Sequence, residues 1–133
     1  MTILIDTSAW IEFFRRQGSV EFKSRVADLI AARCAAYTCP VHFELVMGAR
    51  KDEMPVLSQG LGFATRIAAT ENHWNKASQC AVTLRAMGMN IPALDLLIAS
   101  VALSENLPLL AKDAHFEIIR EHSMPALNIL SPQ

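Results

Sequence analysis

An α/β fold with a mostly parallel sheet covered on both faces is what this sequence predicts, and three observations lead there. Short apolar runs alternate with helical patterns of about ten residues or more, the signature of βαβ units. Two of those runs, TILI at 2–5 and LPLLA at 107–111, lead into a carboxylate, Asp6 directly and Asp113 after Lys112, and then into a helix. The pattern LLIASVAL at 96–103 is apolar nearly all round, as a helix buried against a two-faced sheet must be. A strand that ends in an acid puts that acid at the carboxyl edge of the sheet, where open α/β folds bind ligands.

The elements follow in chain order. Thr2–Ile5 is β-branched and apolar and reads as a buried strand, with Asp6 at its end and the hydroxyls of Thr7 and Ser8 available to cap a helix. Trp10, Ile11, Phe13 and Phe14 give that helix an apolar face; Arg15 and Arg16 fall in its last turn and Gly18 ends it. Ser19 caps a second helix with Phe22, Val26, Leu29 and Ile30 at helical spacing. Ala35–Thr38 is a short strand, and Pro40 opens a third helix that closes near Gly48. Asp52–Thr65 is a looser helical stretch, weakened by Pro55, Gly60 and Gly62. Arg66–Thr70 is the next strand, and Thr70 caps a long helix with Trp74, Ala77, Ala81 and Leu84 on its buried face, His73 and Lys76 on its wet face, and Gly88 as its stop. Pro92 leads into the buried helix, which Asn106 and Pro108 end; Leu107–Ala111 is a strand, Phe116, Ile118 and Ile119 mark a last helix, and Ala126–Leu130 a last strand. The total is a sheet of four to five strands.

The 133 residues suffice for a single domain, 1–133, and 52% of them are hydrophobic against 19% charged, enough for a sizeable core. No apolar run reaches the roughly 18 residues of a membrane span, and no basic stretch leads a long apolar one, so neither membrane nor secretory signal is expected. Three cysteines form no even framework and fit a reducing, cytoplasmic setting. The net charge of −1 does not announce a nucleic-acid binder. If four of the 13 acids are neutralised in a site, nine remain against 12 cations, a weakly basic +3.

Four acids stand out: Asp6 and Asp113 at strand ends, Asp95 in the first turn of the buried helix, and Glu44 within the apolar helix around Phe43, Leu45, Val46 and Met47. Each has an ordinary reading. Asp6 and Asp95 suit helix caps, and Glu44 suits a solvated stripe or a pair with Arg50 as well as it suits a site. Parallel neighbouring strands would bring Asp6 and Asp113 together, and four carboxylates in one pocket repel unless protons or a cation intervene. Carboxylates and water are the natural ligands of Mg²⁺ or Mn²⁺, and an ion so held activates water and neutralises charge growing on a phosphate. Phosphodiester hydrolysis asks for that arrangement. Cys34 and Cys39 lack a second pair, and HExxH, GxGxxG, P-loop and GxSxG motifs are all missing, which removes zinc, dinucleotide, nucleotide-cradle and serine-hydrolase readings. His115, two residues after Asp113, is the one histidine placed near this chemistry.

The segments ILIDTSAWIEFF, FELVMGAR, IPALDLLIASVAL and LLAKDAHFEII resemble the PIN-domain family, more narrowly the VapC-type toxins of bacterial toxin–antitoxin pairs, and the likeness runs through the whole chain. It implies a three-layer α/β/α PIN-like domain and an endoribonuclease that cuts single-stranded or loop RNA to leave a 3′ hydroxyl and a 5′ phosphate. It further implies that Asp6, Glu44, Asp95 and Asp113 ligate or orient Mg²⁺ or Mn²⁺, with Thr7 and Ser8 orienting Asp6 or a water. A homodimer and a VapB-type antitoxin, whose C-terminal segment reaches the pocket, are the implied partners. Arg15, Arg16, Arg50 and Lys51 are candidate contacts to RNA phosphates. Two departures stand against the pattern: Ala111 where many relatives carry Thr or Ser, and Ala114 and His115 where many carry a further acid. The missing hydroxyl at Ala111 and the near-neutral charge leave a catalytically weak PIN-fold RNA- or protein-binding module as the alternative. A haloacid-dehalogenase-like phosphatase also opens on a strand ending in Asp, but needs a second Asp where Ser8 stands.

Overall fold

A computed structural model describes all 133 residues. Five parallel strands form one sheet in the order β3-β2-β1-β4-β5: β1 Ile3–Ile5, β2 Ala35–Thr38, β3 Thr65–Ile67, β4 Leu109–Leu110 and β5 Ile129–Leu130. Seven helices connect and cover them: α1 Thr7–Phe14, α2 Val20–Ala31, α3 Cys39–Gly48, α4 Met54–Leu61, α5 Glu71–Ala86, α6 Ala93–Ser104 and α7 His115–His122. This is the three-layer α/β/α arrangement that the alternating pattern predicts. The central strand β1 pairs with β2 on one side, Leu4 opposite Ala36, and with β4 on the other, Leu4 opposite Leu109. The chain builds outward from β1 through β2 to β3, then crosses to β4 and β5. The order therefore reverses between β1 and β4, and the crevice beyond their carboxyl ends is the switch point at which such sheets bind ligands.

The core holds 29 buried hydrophobic residues, with Leu4, Ile5, Leu109 and Leu110 of the two central strands fully enclosed. In α6, every residue from Asp95 to Ala102 is buried, which explains its all-round apolar sequence. Ser19 accepts from the Phe22 N–H as the cap of α2, and Gly88 (φ +74°) and Asn106 (φ 54°) supply left-handed turns after α5 and α6.

Several local expectations are corrected. The cap of α1 is Asp6, whose carboxylate accepts from the Ser8 N–H at 3.0 Å, rather than a hydroxyl of Thr7 or Ser8. The helix closes at Phe14, so Arg15 and Arg16 lie beyond it, and Ile11 is 41% exposed while Glu12 is buried. Gly18 matters after the helix: a Cβ there would stand 1.9 Å from the Glu12 carbonyl oxygen. The looser stretch resolves into a 3-10 turn, Lys51–Glu53, and α4, with Pro55 in the first turn, where its missing N–H costs nothing. β3 begins earlier than expected, at Thr65, because Ala36, Tyr37 and Thr38 of β2 pair with Thr65, Arg66 and Ile67. The buried stripe of α5 is His73, Ala77, Cys80 and Leu84, one residue round from the expected face, and Trp74 is 52% exposed. The Thr70 cap sets that rotation: His73 reaches back to accept the Thr70 N–H at 2.9 Å, drawing its ring inward.

Candidate functional site

All four acids named from the sequence sit on the carboxyl side of the sheet. Asp6 follows β1 directly and is 2% exposed. Its backbone N–H donates to the Leu110 carbonyl at 2.9 Å, which fixes it against β4. Its Oδ2 accepts the Ser8 N–H and the Ser8 hydroxyl, the latter at 2.7 Å. Its Oδ1 is buried with no partner at all. Burial is the main force on this carboxyl and pushes its pKa up to about 7; the Ser8 hydrogen bonds pull the other way and the neighbouring Asp95 adds to the rise.

Asp95 does not cap its helix. Pro92 holds the cap position of α6 without a side-chain bond, and the Asp95 Oδ2 lies 2.9 Å from His115 Nδ1 instead. Burial raises the Asp95 pKa, a hydrogen bond from His115 lowers it, and the charges of Asp113 and Glu44 raise it again. Asp95 therefore feels three of the other acidic groups: Asp6, Asp113 and Glu44. Asp113, in the turn between β4 and α7, accepts the His115 N–H on Oδ1 at 3.0 Å, and the same oxygen lies 2.9 Å from His115 Nδ1. Glu44 is half-buried on α3 and accepts the Thr7 hydroxyl at 2.7 Å. It makes no pair with Arg50, which faces Asp52 and Glu53.

Ser8 is the joint of the site. Besides donating to Asp6, its Oγ accepts the backbone N–H groups of Lys112 (2.9 Å) and Asp113 (3.1 Å), over a hundred residues away in sequence. One hydroxyl thereby ties the first turn of α1 to the loop that carries Asp113. The side chain at Ala111 supplies no such tie, and Ser8 makes it without one.

Two residues escape a sequence reading. Glu12 is 5% exposed and accepts the Ser19 N–H at 2.9 Å, with Arg15 and Lys112 also within ion-pair range. The Ser19 N–H, then Lys112 and Arg15, hold its pKa below the usual glutamate range against the opposing effect of burial. The signal was slight: one acid inside WIEFF, near a glycine–serine turn. Thr38, at the carboxyl end of β2, is fully buried with its hydroxyl unpartnered. Of the candidate phosphate contacts, only Arg15 lines the open groove that runs from Glu44 across α1 and α4, a cavity of about 370 Å³ that also takes in Ile11, Phe14, Leu45 and Val56. Arg16, Arg50 and Lys51 are exposed and lie off it.

The sequence profile of the PIN domain matches residues 3–121. The chain belongs to the PIN-domain family. Within it, Ribonuclease VapC11 of Mycobacterium tuberculosis is 31% identical over 130 residues, spanning 88% of this chain and 90% of the relative. A VapC ribonuclease of Mycobacterium bovis matches to the same extent. Among solved structures, a DNA-bound VapBC from Salmonella typhimurium superposes with a TM-score of 0.81 at 16% identity, covering 100% of this chain and 99% of the other. VapBC2 from Rickettsia felis, bound to a promoter DNA fragment, gives 0.79 at 22% identity over 98% of both. At those identities the structures speak for the PIN fold alone.

The donor set of this PIN domain suits a hard divalent cation. It offers an orphaned, buried carboxylate oxygen on Asp6 and oxygens on Asp95 and Asp113, two of the acids that converge with His115 so that one ligand atom from each lies within 4.8 Å of the others. Burial of a carboxylate with a lone unpartnered oxygen is costly unless a proton or a cation meets it.

Proposed function

We propose that the protein is a Mg²⁺- or Mn²⁺-dependent endoribonuclease, the toxin of a VapC-type toxin–antitoxin pair, acting in the cytoplasm. The observation that carries the reading is the buried, unpartnered Oδ1 of Asp6 at the switch point, beside an Asp95 that senses the charges of Glu44 and Asp113. A divalent ion bound there supplies an activated water and neutralises charge as the phosphodiester is attacked. Asp6, Asp95 and Asp113 hold it. Glu44, steadied by the Thr7 hydroxyl, helps hold it or orients the attacking water. Ser8 keeps Asp6 and the Asp113 loop at a fixed separation, and Arg15, paired with Glu12, lines the groove beside Glu44.

The named VapC ribonucleases support RNA as the substrate class, and the VapBC complexes support an antitoxin of VapB type as partner. The groove beside Glu44 favours that protein partner over RNA. Six of its eleven lining residues are hydrophobic, and its charged lining is Arg15 and three acids, Glu44, Asp52 and Glu53, the last two paired with Arg50. A homodimer completes the assembly that this reading expects.

The test is cleavage of total cellular RNA by purified protein with Mg²⁺ or Mn²⁺, mapped by sequencing 5′ ends, alongside EDTA and the Asp6→Asn variant. Discrete, metal-dependent cuts that vanish in the variant are expected. Metal binding without any cut would favour a PIN-fold binding module instead, and cuts that persist in both controls would belong to a contaminant.

A further inference from the structure

The oxygen donors of the site are joined by one nitrogen. His115 Nδ1 lies 2.9 Å from Asp95 Oδ2 and 2.9 Å from Asp113 Oδ1, between two carboxylates that come from different elements. The ring has little freedom to leave. His115 is the first residue of α7, and its backbone N–H is bound to the same Asp113 oxygen at 3.0 Å. A single Nδ1 facing two acceptors has one position to share, and a cation placed there meets all three groups at once. All three ligand atoms lie within 4.8 Å of one another, and the two 2.9 Å distances from Nδ1 match the roughly 3 Å between neighbouring ligands that bonds of about 2.0–2.3 Å to a common ion allow. The unpartnered Asp6 Oδ1 is a second, independent sign that the pocket is built for a positive group.

We propose that His115 Nδ1 is a direct ligand of the divalent ion held by Asp95 and Asp113, and that it makes this site select Mn²⁺ over Mg²⁺. The inference rests on the metal-dependent reading given above. With the ion bound, Nδ1 carries no proton, any proton it held passes to solvent, and the neutral ring bears its N–H on Nε2. Selectivity follows from ligand chemistry. Mg²⁺ prefers an all-oxygen shell and gives up water reluctantly, whereas imidazole is a good donor to first-row transition ions.

The experiment is titration of the metal-free protein with Mn²⁺ and with Mg²⁺ by calorimetry, together with pulsed electron paramagnetic resonance of the Mn²⁺ complex. Wild type, His115→Ala, His115→Asp and Asp95→Asn are compared, each checked for an unchanged circular dichroism spectrum. Wild type should show ¹⁴N coupling from a bound imidazole, and His115→Ala should lose it. The same change should weaken Mn²⁺ binding by about tenfold or more, in line with the effects of lost metal-site partners, while Mg²⁺ binding changes much less. His115→Asp, which offers oxygen in place of nitrogen, should keep binding and lose the preference for Mn²⁺. Absence of the nitrogen coupling, or equal or tighter Mn²⁺ binding by His115→Ala, overturns the proposal while leaving the metal site in place. No Mn²⁺ binding by wild type, or wild-type affinity in Asp95→Asn, overturns the metal site itself and the proposal with it.

Discussion

Removing the Ser8 hydroxyl is the perturbation whose consequences the structure defines most fully. Ser8→Ala deletes three hydrogen bonds at one atom: the donation to Asp6 Oδ2 at 2.7 Å and the acceptances from Lys112 N and Asp113 N. A hydrogen bond to a charged group is worth about 1.5–3 kcal/mol and a neutral one about 1 kcal/mol. The Lys112 N–H lies in an exposed bond and finds water instead, whereas the Asp113 N–H is half-buried and its loss counts. The sum is about 2–4 kcal/mol. At roughly 4 °C per kcal/mol for a chain of this size, the melting temperature should fall by about 8–16 °C. Because the hydroxyl also orients Asp6 and the Asp113 loop, Mn²⁺ affinity should drop by about 10–100-fold. Ser8→Thr keeps the hydroxyl and should recover most of both losses. Thermal melts followed by circular dichroism and calorimetric Mn²⁺ titration at about pH 7.5 read the two effects. A Ser8→Ala protein that melts within about 2 °C of wild type and binds Mn²⁺ as tightly would refute the reasoning.

Three further outcomes are expected. The folded-state pKa of Asp6, about 7 against an ordinary 3.8, means the folded protein holds a proton that the unfolded chain has lost between those values. Stability of the metal-free protein should therefore fall as pH rises through that window, by a total on the order of 4 kcal/mol, and Asp6→Asn should melt higher than wild type at about pH 8, with the gap closing near pH 5. Equal pH slopes in the two proteins would contradict the assignment of that proton to Asp6. Thr7→Val, which leaves Glu44 without its 2.7 Å donor, should slow RNA cleavage about tenfold without changing the far-ultraviolet spectrum; an unaltered rate would remove this hydroxyl from the account. Gly18→Ala forces a methyl group to within 1.9 Å of a backbone oxygen and should destabilise by about 3 kcal/mol or more, measurable by urea unfolding.

Much of the fold was legible because its signals are local. An apolar strand that runs into Asp and then into a helix is visible in six residues, and it occurs at both flanks of the switch point. The α6 segment, apolar nearly all round, could only be an internal helix. The acids were conspicuous for the same reason, since each interrupts an apolar setting. What sequence left out depends on partners far along the chain. Nothing in DTSAW tells that Ser8 also accepts from residues 112 and 113, and nothing in WIEFF tells that Glu12 turns inward to meet Ser19 and Lys112. The face of α5 was misplaced by one position because the Thr70 cap draws His73 inward, a choice between two adjacent rings that helical spacing alone does not make. His115 was visible only as a neighbour of Asp113; its placement against Asp95 is a product of α6 and α7 packing together.

The central claim is that Asp6, Asp95 and Asp113, with Glu44 beside them, form one divalent-cation site at the β1–β4 switch point. Anomalous diffraction from crystals soaked in Mn²⁺ tests it most directly. The account predicts a peak about 2.2 Å from Asp6 Oδ1, bonded also to Asp95 and Asp113. A peak that leaves Asp6 untouched, or no peak among these carboxylates, would contradict it.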